Sequence, residues 1–457
     1  MLSRRQLLAS MGTATTLGFS SQLSNASNLS GLYMNQSILD LGELGLQPDI
    51  GSDVSVAFQN AVNLAASDNK ILWLPAGKYL ISSIDIPDQL VLRGVPGMTQ
   101  LSYAGGGQFL RSSGAKMLDM SGLILDGNDL PLNENTRALL HIEEVSSFSV
   151  SGCTFVNSRE RGIHIERSKG TIESCHIERA NGRGAIFALD NQGLSICNNT
   201  IKNCANNGIL VHRTFKGEDG TFVTGNRINN IRADNGGTGE WGNGINIFRA
   251  GSVIVSGNHV SDCALSAIRS NAGNNLQVSI NQCLRSGETA IYSEFDFEGA
   301  IISNNLIDDA GDGISMANFM QGGRLGICSN NIVRNIADRV PYTEIDEVAG
   351  TGISVEADTV VSSNIVENAA GTAIAIGWGP FLRDIVASSN VIRGARIGIY
   401  VSVVESSGAT IISNNLIANC KEGGIIGHRW RDRVTNDMLL SNSDLYPHLS
   451  VHGNRSG

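Results

Sequence analysis

Asn305-Leu306-Ile307, answered shortly afterwards by Gly313-Ile314, is one copy of a pattern that fills most of this chain. Its first half recurs as Asn199-Thr200-Ile201, Asn226-Arg227-Ile228, Asn258-His259-Val260, Asn331-Ile332-Val333, Asn364-Ile365-Val366, Asn390-Val391-Ile392 and Asn415-Leu416-Ile417. Its second half recurs as Gly208-Ile209, Gly244-Ile245, Ala267-Ile268, Ala290-Ile291, Gly352-Ile353, Ala373-Ile374, Gly398-Ile399 and Gly424-Ile425. Most steps between equivalent residues are 21 to 27 residues long. Such a period marks a solenoid, in which each unit covers only its neighbours' apolar edges. The expected fold is all-β: a single parallel β-helix of about 13 coils over residues 90–455, stacked ~4.8 Å apart into a rod of roughly 60 Å.

The asparagines are expected to point inward at a corner, each amide bonding the one above and the one below. Gln282 is read as the amide of the coil that lacks the motif. The alternative is a row of exposed turn asparagines, which turns favour but do not require. Glycine, at 53 of 457 residues, exceeds the usual ~7% and suits tight corners.

The net charge of -10 carries no run of like charge. That argues against nucleic acid as a partner, and no stretch after the N-terminus is apolar enough for a membrane span. The N-terminus reads as a twin-arginine-type signal over residues 1–26: Arg4-Arg5 precede an apolar stretch, and Ser24-Asn25-Ala26 offers a cleavage site. A general secretory signal is the alternative. Either places the protein in the periplasm or outside the cell. Residues 27–48 read as a lead-in. The eight cysteines read as core filler, with Cys153 and Cys175 the pair to test for a bridge. No Cys/His cluster has metal spacing.

Residues 49–89 read as an N-terminal cap. Asp53 opens a short helix whose apolar stripe is Ala57, Phe58, Ala61, Val62 and Ala65; strand, turn and strand follow through Ile81. Such a helix covers the solenoid's open end. Asp53 through Gln59, then Leu74-Pro75-Ala76-Gly77-Lys78-Tyr79, Leu92-Arg93-Gly94 and Gly122-Leu123-Ile124-Leu125-Asp126-Gly127-Asn128 resemble the opening segment of the pectate-lyase-like superfamily. That resemblance implies a right-handed β-helix and a polysaccharide partner. With the arginine pair, the chain is also similar to a bacterial family of twin-arginine-exported repeat proteins of uncharacterised function.

Two coils are overlong, with insertions at about 229–243 and 334–351. Both leave the same corner, so both should rise on one side and flank a groove ~20 Å along; neutral loop drift is the alternative. The third residue of each Gly/Ala-Ile strand should face outward: His164, Phe187, Leu210, Asn246, Arg269, Tyr292, Ser315, Ser354, Ala375 and Tyr400. Beside the first insertion, Glu294, Asp296 and His212 are the acid/base candidates. Arg213, Arg249, Arg269, Tyr292, Glu240 and Trp241 are the sugar-binding candidates. If Glu294-Phe295-Asp296-Phe297-Glu298 is extended, three carboxylates share a face. They would suit glycoside cleavage or bind Ca²⁺; no other cofactor is implied. Asp308, Asp309 and Asp312 read as turn residues. The functional expectation is binding, and lyase, hydrolase or epimerase action, on an acidic polysaccharide; the alternative is a non-catalytic envelope scaffold. The sequence is silent on oligomeric state.

Overall fold

The computed structural model describes residues 37–317, 323–341, 349–440 and 446–457; the signal segment lies outside them. Residues 39–457 form one compact unit. It is a parallel β-solenoid of about 13 turns. Each turn contributes to three columns of strands. One column runs from Ile71–Leu74 through Met117–Ser121 to Leu449–His452. The second contains Thr154–Ser158, His176–Ala180 and Thr200–Cys204, and the third Arg161–Glu166 and Ile186–Leu189. In Gln282–Glu294 and Leu306–Ala317 the second and third columns run together as one long strand. Coil-to-coil pairing is parallel; a small antiparallel contact joins Ile425–Arg429 to Asp432–Arg433.

The corner between the first and second columns sets the register. There one residue takes the left-handed conformation and the next, an asparagine, turns inward. Asn304, Asn330, Ser363, Ser389 and Asn414 have φ between 56° and 60°. The asparagines after them are fully buried. Asn305 Nδ2 donates to Asn331 Oδ1 at 3.0 Å and to the Val278 carbonyl at 3.0 Å, while its backbone N–H also donates to Asn331 Oδ1 at 3.0 Å. The same three bonds recur from Asn199 through Asn226, Asn258, Asn281, Asn305, Asn331, Asn364, Asn390 and Asn415 to Asn454. Every polar atom that the turn buries is thereby paired.

The ladder corrects one expectation. Asn281, not Gln282, occupies it, and Gln282 is exposed. Cys283 fills the place of the motif's Ile, between Val260 and Ile307. Cys153 and Cys175 precede the ladder in the same corner: Cys175 N donates to Asn199 Oδ1 at 2.9 Å. All eight cysteines are free, and burial pushes the Cys153 thiol up to about 12. They act as small apolar residues.

The Gly of Gly-Ile is required by close approach. A Cβ at Gly244 would sit 2.4 Å from Val260 Cγ1 and 2.7 Å from the Ala267 carbonyl oxygen. The aliphatic core and the next coil's backbone leave room for hydrogen only.

The capping helix, α1, spans Ser55–Ser67 and buries Phe58, Ala61, Val62 and Ala65. Asp53 sits just ahead of it and accepts from Ser55 N at 2.8 Å. Ala57 is exposed and lies outside the stripe.

Two stability outcomes follow from this corner. Asn331→Ala removes the acceptor for two Asn305 donors and the donor to the Ile302 carbonyl; a loss of about 3 kcal/mol is expected, read as a lowered urea midpoint. Ile280 stands at a left-handed corner, φ 61°, where neighbouring coils place glycine or asparagine. Ile280→Asn should raise the midpoint by about 1 kcal/mol; an unchanged or lower midpoint would show the corner to be unstrained.

Candidate functional site

The outward column is in register: His164, Phe187, Leu210, Asn246, Arg269, Tyr292, Ser315, Ser354, Ala375 and Tyr400 stack coil on coil. His164, Phe187 and Leu210 point away from the solenoid interior yet are covered, at 4% exposure or less. The face opens beyond them as three adjoining cavities. The first, about 660 Å³, lies between 237–241 of the first insertion and a floor of His212, Asn246, Phe248 and Arg269. The second, about 510 Å³, shares Thr238, Arg269, Glu294 and Phe295 with it and reaches Arg339 and Val340 of the second insertion. The third, about 430 Å³, shares Glu356 and Trp378 with the second. One groove therefore runs along this face, and both insertions border it. The second insertion's residues 342–348 lie outside the described residues.

Arg269 is the centre of the groove. Its Nε donates to Glu294 Oε1 at 2.7 Å, Nη2 to Glu294 Oε2 at 3.0 Å, and Nη1 to Glu288 Oε2 at 3.2 Å. The guanidinium also lies 4.8 Å over the Tyr292 ring. Burial opposes the charge of Arg269, but Glu294 and Glu288 outweigh it and hold its pKa above the ordinary value. Burial, with the Glu294 charge added, pushes the Tyr292 phenol up, so it stays protonated. Arg269 is thus engaged by its own carboxylates rather than left for a sugar carboxylate.

His212 lies between Phe187 and Phe248, with ring centroids 5.3 Å and 5.5 Å away. Burial lowers its pKa to about 4, although a hydrogen bond with the Asn246 side chain opposes this. It is neutral at ordinary pH and lines the first cavity. It stands three coils from Glu294 in one register column, about 14 Å along the axis. Two carboxyl-type groups acting on one glycosidic bond stand ~5–9.5 Å apart. His212 and Glu294 are therefore not brought to one bond.

The run from Glu294 to Glu298 is not extended. Its strand ends at Glu294, Phe295 and Asp296 turn left-handed at φ 52° and 26°, and Glu298 opens a strand of the first column. The three carboxylates separate: Glu294 to Arg269, Asp296 to Lys216 at 2.8 Å, Glu298 to Arg324. Among the described residues no group of three or more His, Cys, Asp or Glu is placed to hold a metal. Arg213 also leaves the groove, its Nη1 donating to the Asn191 carbonyl at 3.1 Å. Arg249 packs 4.7 Å over Phe248 and donates to the Thr214 carbonyl at 2.9 Å, outside the three cavities. Glu240 and Trp241 do line the first cavity, where Arg183 holds both, 3.1 Å from Glu240 Oε1 and 5.1 Å over the Trp241 ring.

Sequence reasoning missed Arg183, Glu288 and Arg339 and set Asp312 aside. Asp312 lies within the strand Leu306–Ala317, lines the second cavity and accepts from Thr351 N at 2.7 Å. Arg183, Glu288 and Asp312 precede the outward-facing Phe187, Tyr292 and Ser315 of their coils, and Arg339 belongs to the second insertion. Charge is graded along the groove. The second cavity gathers Glu288, Glu294, Asp312 and Glu356 around Tyr292, against Arg269 and Arg339. The first has Arg183 and Arg269 against Glu240 and Glu294; the third has Arg396, Arg431 and Arg433 against Glu356 and Glu422. The third also holds aromatics, with Trp378 edge-on to Trp430 at 5.6 Å and Tyr400 stacked on His428 at 4.3 Å.

A fold and groove of this kind define a β-helix protein of the pectate-lyase type. The profile of the family described as rhamnogalacturonase A/epimerase, pectate lyase-like matches residues 40–269, half of the chain, and the chain belongs to that family. A second profile, for a right handed beta helix region, matches residues 214–383 and gives the hand of the coil. Among curated protein sequences none matches. Among solved structures, an alginate lyase of family PL6 in complex with a trisaccharide is similar at a TM-score of 0.51 and 14% identity, over 91% of this chain and 88% of that one. PfbA, a surface adhesin of Streptococcus pneumoniae, is similar at 0.48 and 14%, over 86% and 94%. The A-module of the Azotobacter vinelandii mannuronan C-5 epimerase AlgE6 is similar at 0.39 and 14%, over 92% and 99%.

Replacing Arg269 by Met would leave Glu288 and Glu294 buried without their cation. A loss of about 3–5 kcal/mol is expected, read as a fall in urea midpoint. A loss below ~1 kcal/mol would mean that the cluster is solvated rather than a buried network.

Proposed function

We propose that this protein is exported and binds an acidic polysaccharide along the groove, processing it over the second cavity. The observation that carries this reading is the charge grading: around the protonated Tyr292 four carboxylates face two arginines, the first cavity is balanced at two of each, and in the third cavity three arginines face two carboxylates. Sugar carboxylates would sit beside Arg183 in the first cavity and Arg396 in the third, in exchange for the solvent-exposed ion pairs these make with Glu240 and Glu422. Trp241 and Trp378 offer faces for sugar rings. Membership of the pectate-lyase-like family supports a polysaccharide ligand, and Arg4-Arg5 with the following apolar stretch supports export.

The acid-rich centre favours hydrolysis over β-elimination. Elimination needs a cation or basic group beside the sugar carboxylate at the bond being broken. Hydrolysis needs a proton donor and a carboxylate. Tyr292 would donate a hydrogen bond to the glycosidic oxygen, while one of Glu356 and Asp312, in its acid form, protonates that oxygen as the C–O bond breaks. The other, as a carboxylate, would take a proton from the attacking water. A binding scaffold without turnover is the second reading, and the mutual saturation of Arg269, Glu288 and Glu294 favours it.

The test is incubation of the folded protein with uronic-acid polymers, following reducing ends and unsaturated ends separately. New reducing ends without unsaturation are expected. Tyr292→Phe or Glu356→Gln should cut the rate about 100-fold or more, with Arg213→Ala unaffected. Unsaturated ends would instead make it a lyase, and binding without any new ends would leave the scaffold. Failure to bind any acidic glycan would sink the groove assignment itself.

A further inference from the structure

The corner that carries the asparagine ladder presents something different outside. On the first column the outward residues of five successive coils are Ile301, Ile327, Val360, Val386 and Ile411, in register. On the second column they are Leu306, Ile332, Ile365, Val391 and Leu416, also in register. Each coil thus supplies an apolar pair five residues apart, straddling the turn. Between them lie one buried core residue, such as Cys328 or Val361, and otherwise only serine and asparagine, as in Ser329-Asn330 and Ser362-Ser363. Ile327, Val360, Ile332 and Ile365 are each 40–42% exposed. Single exposed aliphatics are ordinary; ten in an unbroken band are not.

The next outward column is charged, and its signs alternate: Asp308, Arg334, Glu367, Arg393. Read backwards, that order gives the opposite sign at every place. A two-fold axis lying across the band between the coils of Arg334 and Glu367 would reverse one copy along the solenoid. Apolar stripe would then meet apolar stripe. Arg334 would face Glu367 of the second copy and Asp308 would face its Arg393, so all four contacts are attractive. Both copies share one rung spacing, so rung meets rung along the overlap. With the axis there, four of the five coils overlap and the fifth lies beyond them; the overlap measures roughly 19 Å by 26 Å, followed around the corner, from strand spacing and residue rise. Pairing would remove about 1,000 Å² in total, the size of a weak, reversible interface. A polyanionic glycan finds no cation in the stripes themselves.

We infer that this band docks a second copy of the chain, antiparallel, as an isologous dimer that leaves the groove open. The inference is independent of what the groove binds.

Sedimentation velocity of the folded protein over a concentration series tests it. The parent should sediment as a dimer. Ile332→Glu with Ile365→Glu should give a monomer with an unchanged circular dichroism spectrum, since both side chains face outward. Arg334→Glu alone and Glu367→Arg alone each set like charges across the axis and should weaken the dimer about tenfold or more. Combining the two restores opposite signs and should restore the dimer. A monomeric parent overturns the inference, whether another protein or the chain's own N-terminal residues then cover the band. So does a dimer that survives the isoleucine changes, or a charge exchange that rescues nothing.

Discussion

The amide ladder is the constraint on which the rest depends. Each asparagine spends both amide groups and its backbone N–H on adjoining coils, at about 3.0 Å per bond. A coil displaced by one residue would break all of them and would turn its core side chains outward. Register is therefore fixed at one corner and carried around the coil. Side chains more than 20 residues apart in sequence come to stand ~4.8 Å apart in space. The groove and the apolar band are both products of that alignment, on the outward faces of different strand columns.

What the alignment determines was legible in the sequence. The period gives the fold, and the outward column from His164 to Tyr400 follows from strand alternation once the coils are superposed. The two insertions border one groove because both leave the same corner. Asn281 was misread for a local reason. Its coil has Cys283 where others have Ile or Val, so the motif lost its apolar signature while the amide stayed in place.

What the alignment does not determine was not legible. Phe295 and Asp296 turn left-handed with no glycine to announce it, so an alternating run that looks like a strand is a bend. The partner of Asp296 is Lys216, 80 residues earlier. Arg213 had the composition of a binding residue, and only the carbonyl of Asn191 explains where it went. Choices of this kind are made by side-chain reach and by burial of charge, and they leave no period behind. Glu294 illustrates the result. It stands in the groove as expected, but Arg269 takes both its oxygens.

The distribution of charge then bears on how an acidic protein could hold an acidic polymer. The whole chain carries a net charge of -10, so an approaching polyanion is repelled at long range. That repulsion fades beyond ~8 Å at physiological ionic strength. Inside the groove the arginines act at contact distance, where salt screens them less. Association under these conditions gains nothing from steering. Selectivity would have to come from spacing, with arginines in excess in the third cavity and carboxylates in excess around Tyr292. The same geometry separates holding from reacting, since the groups that would anchor the chain are not those beside Tyr292.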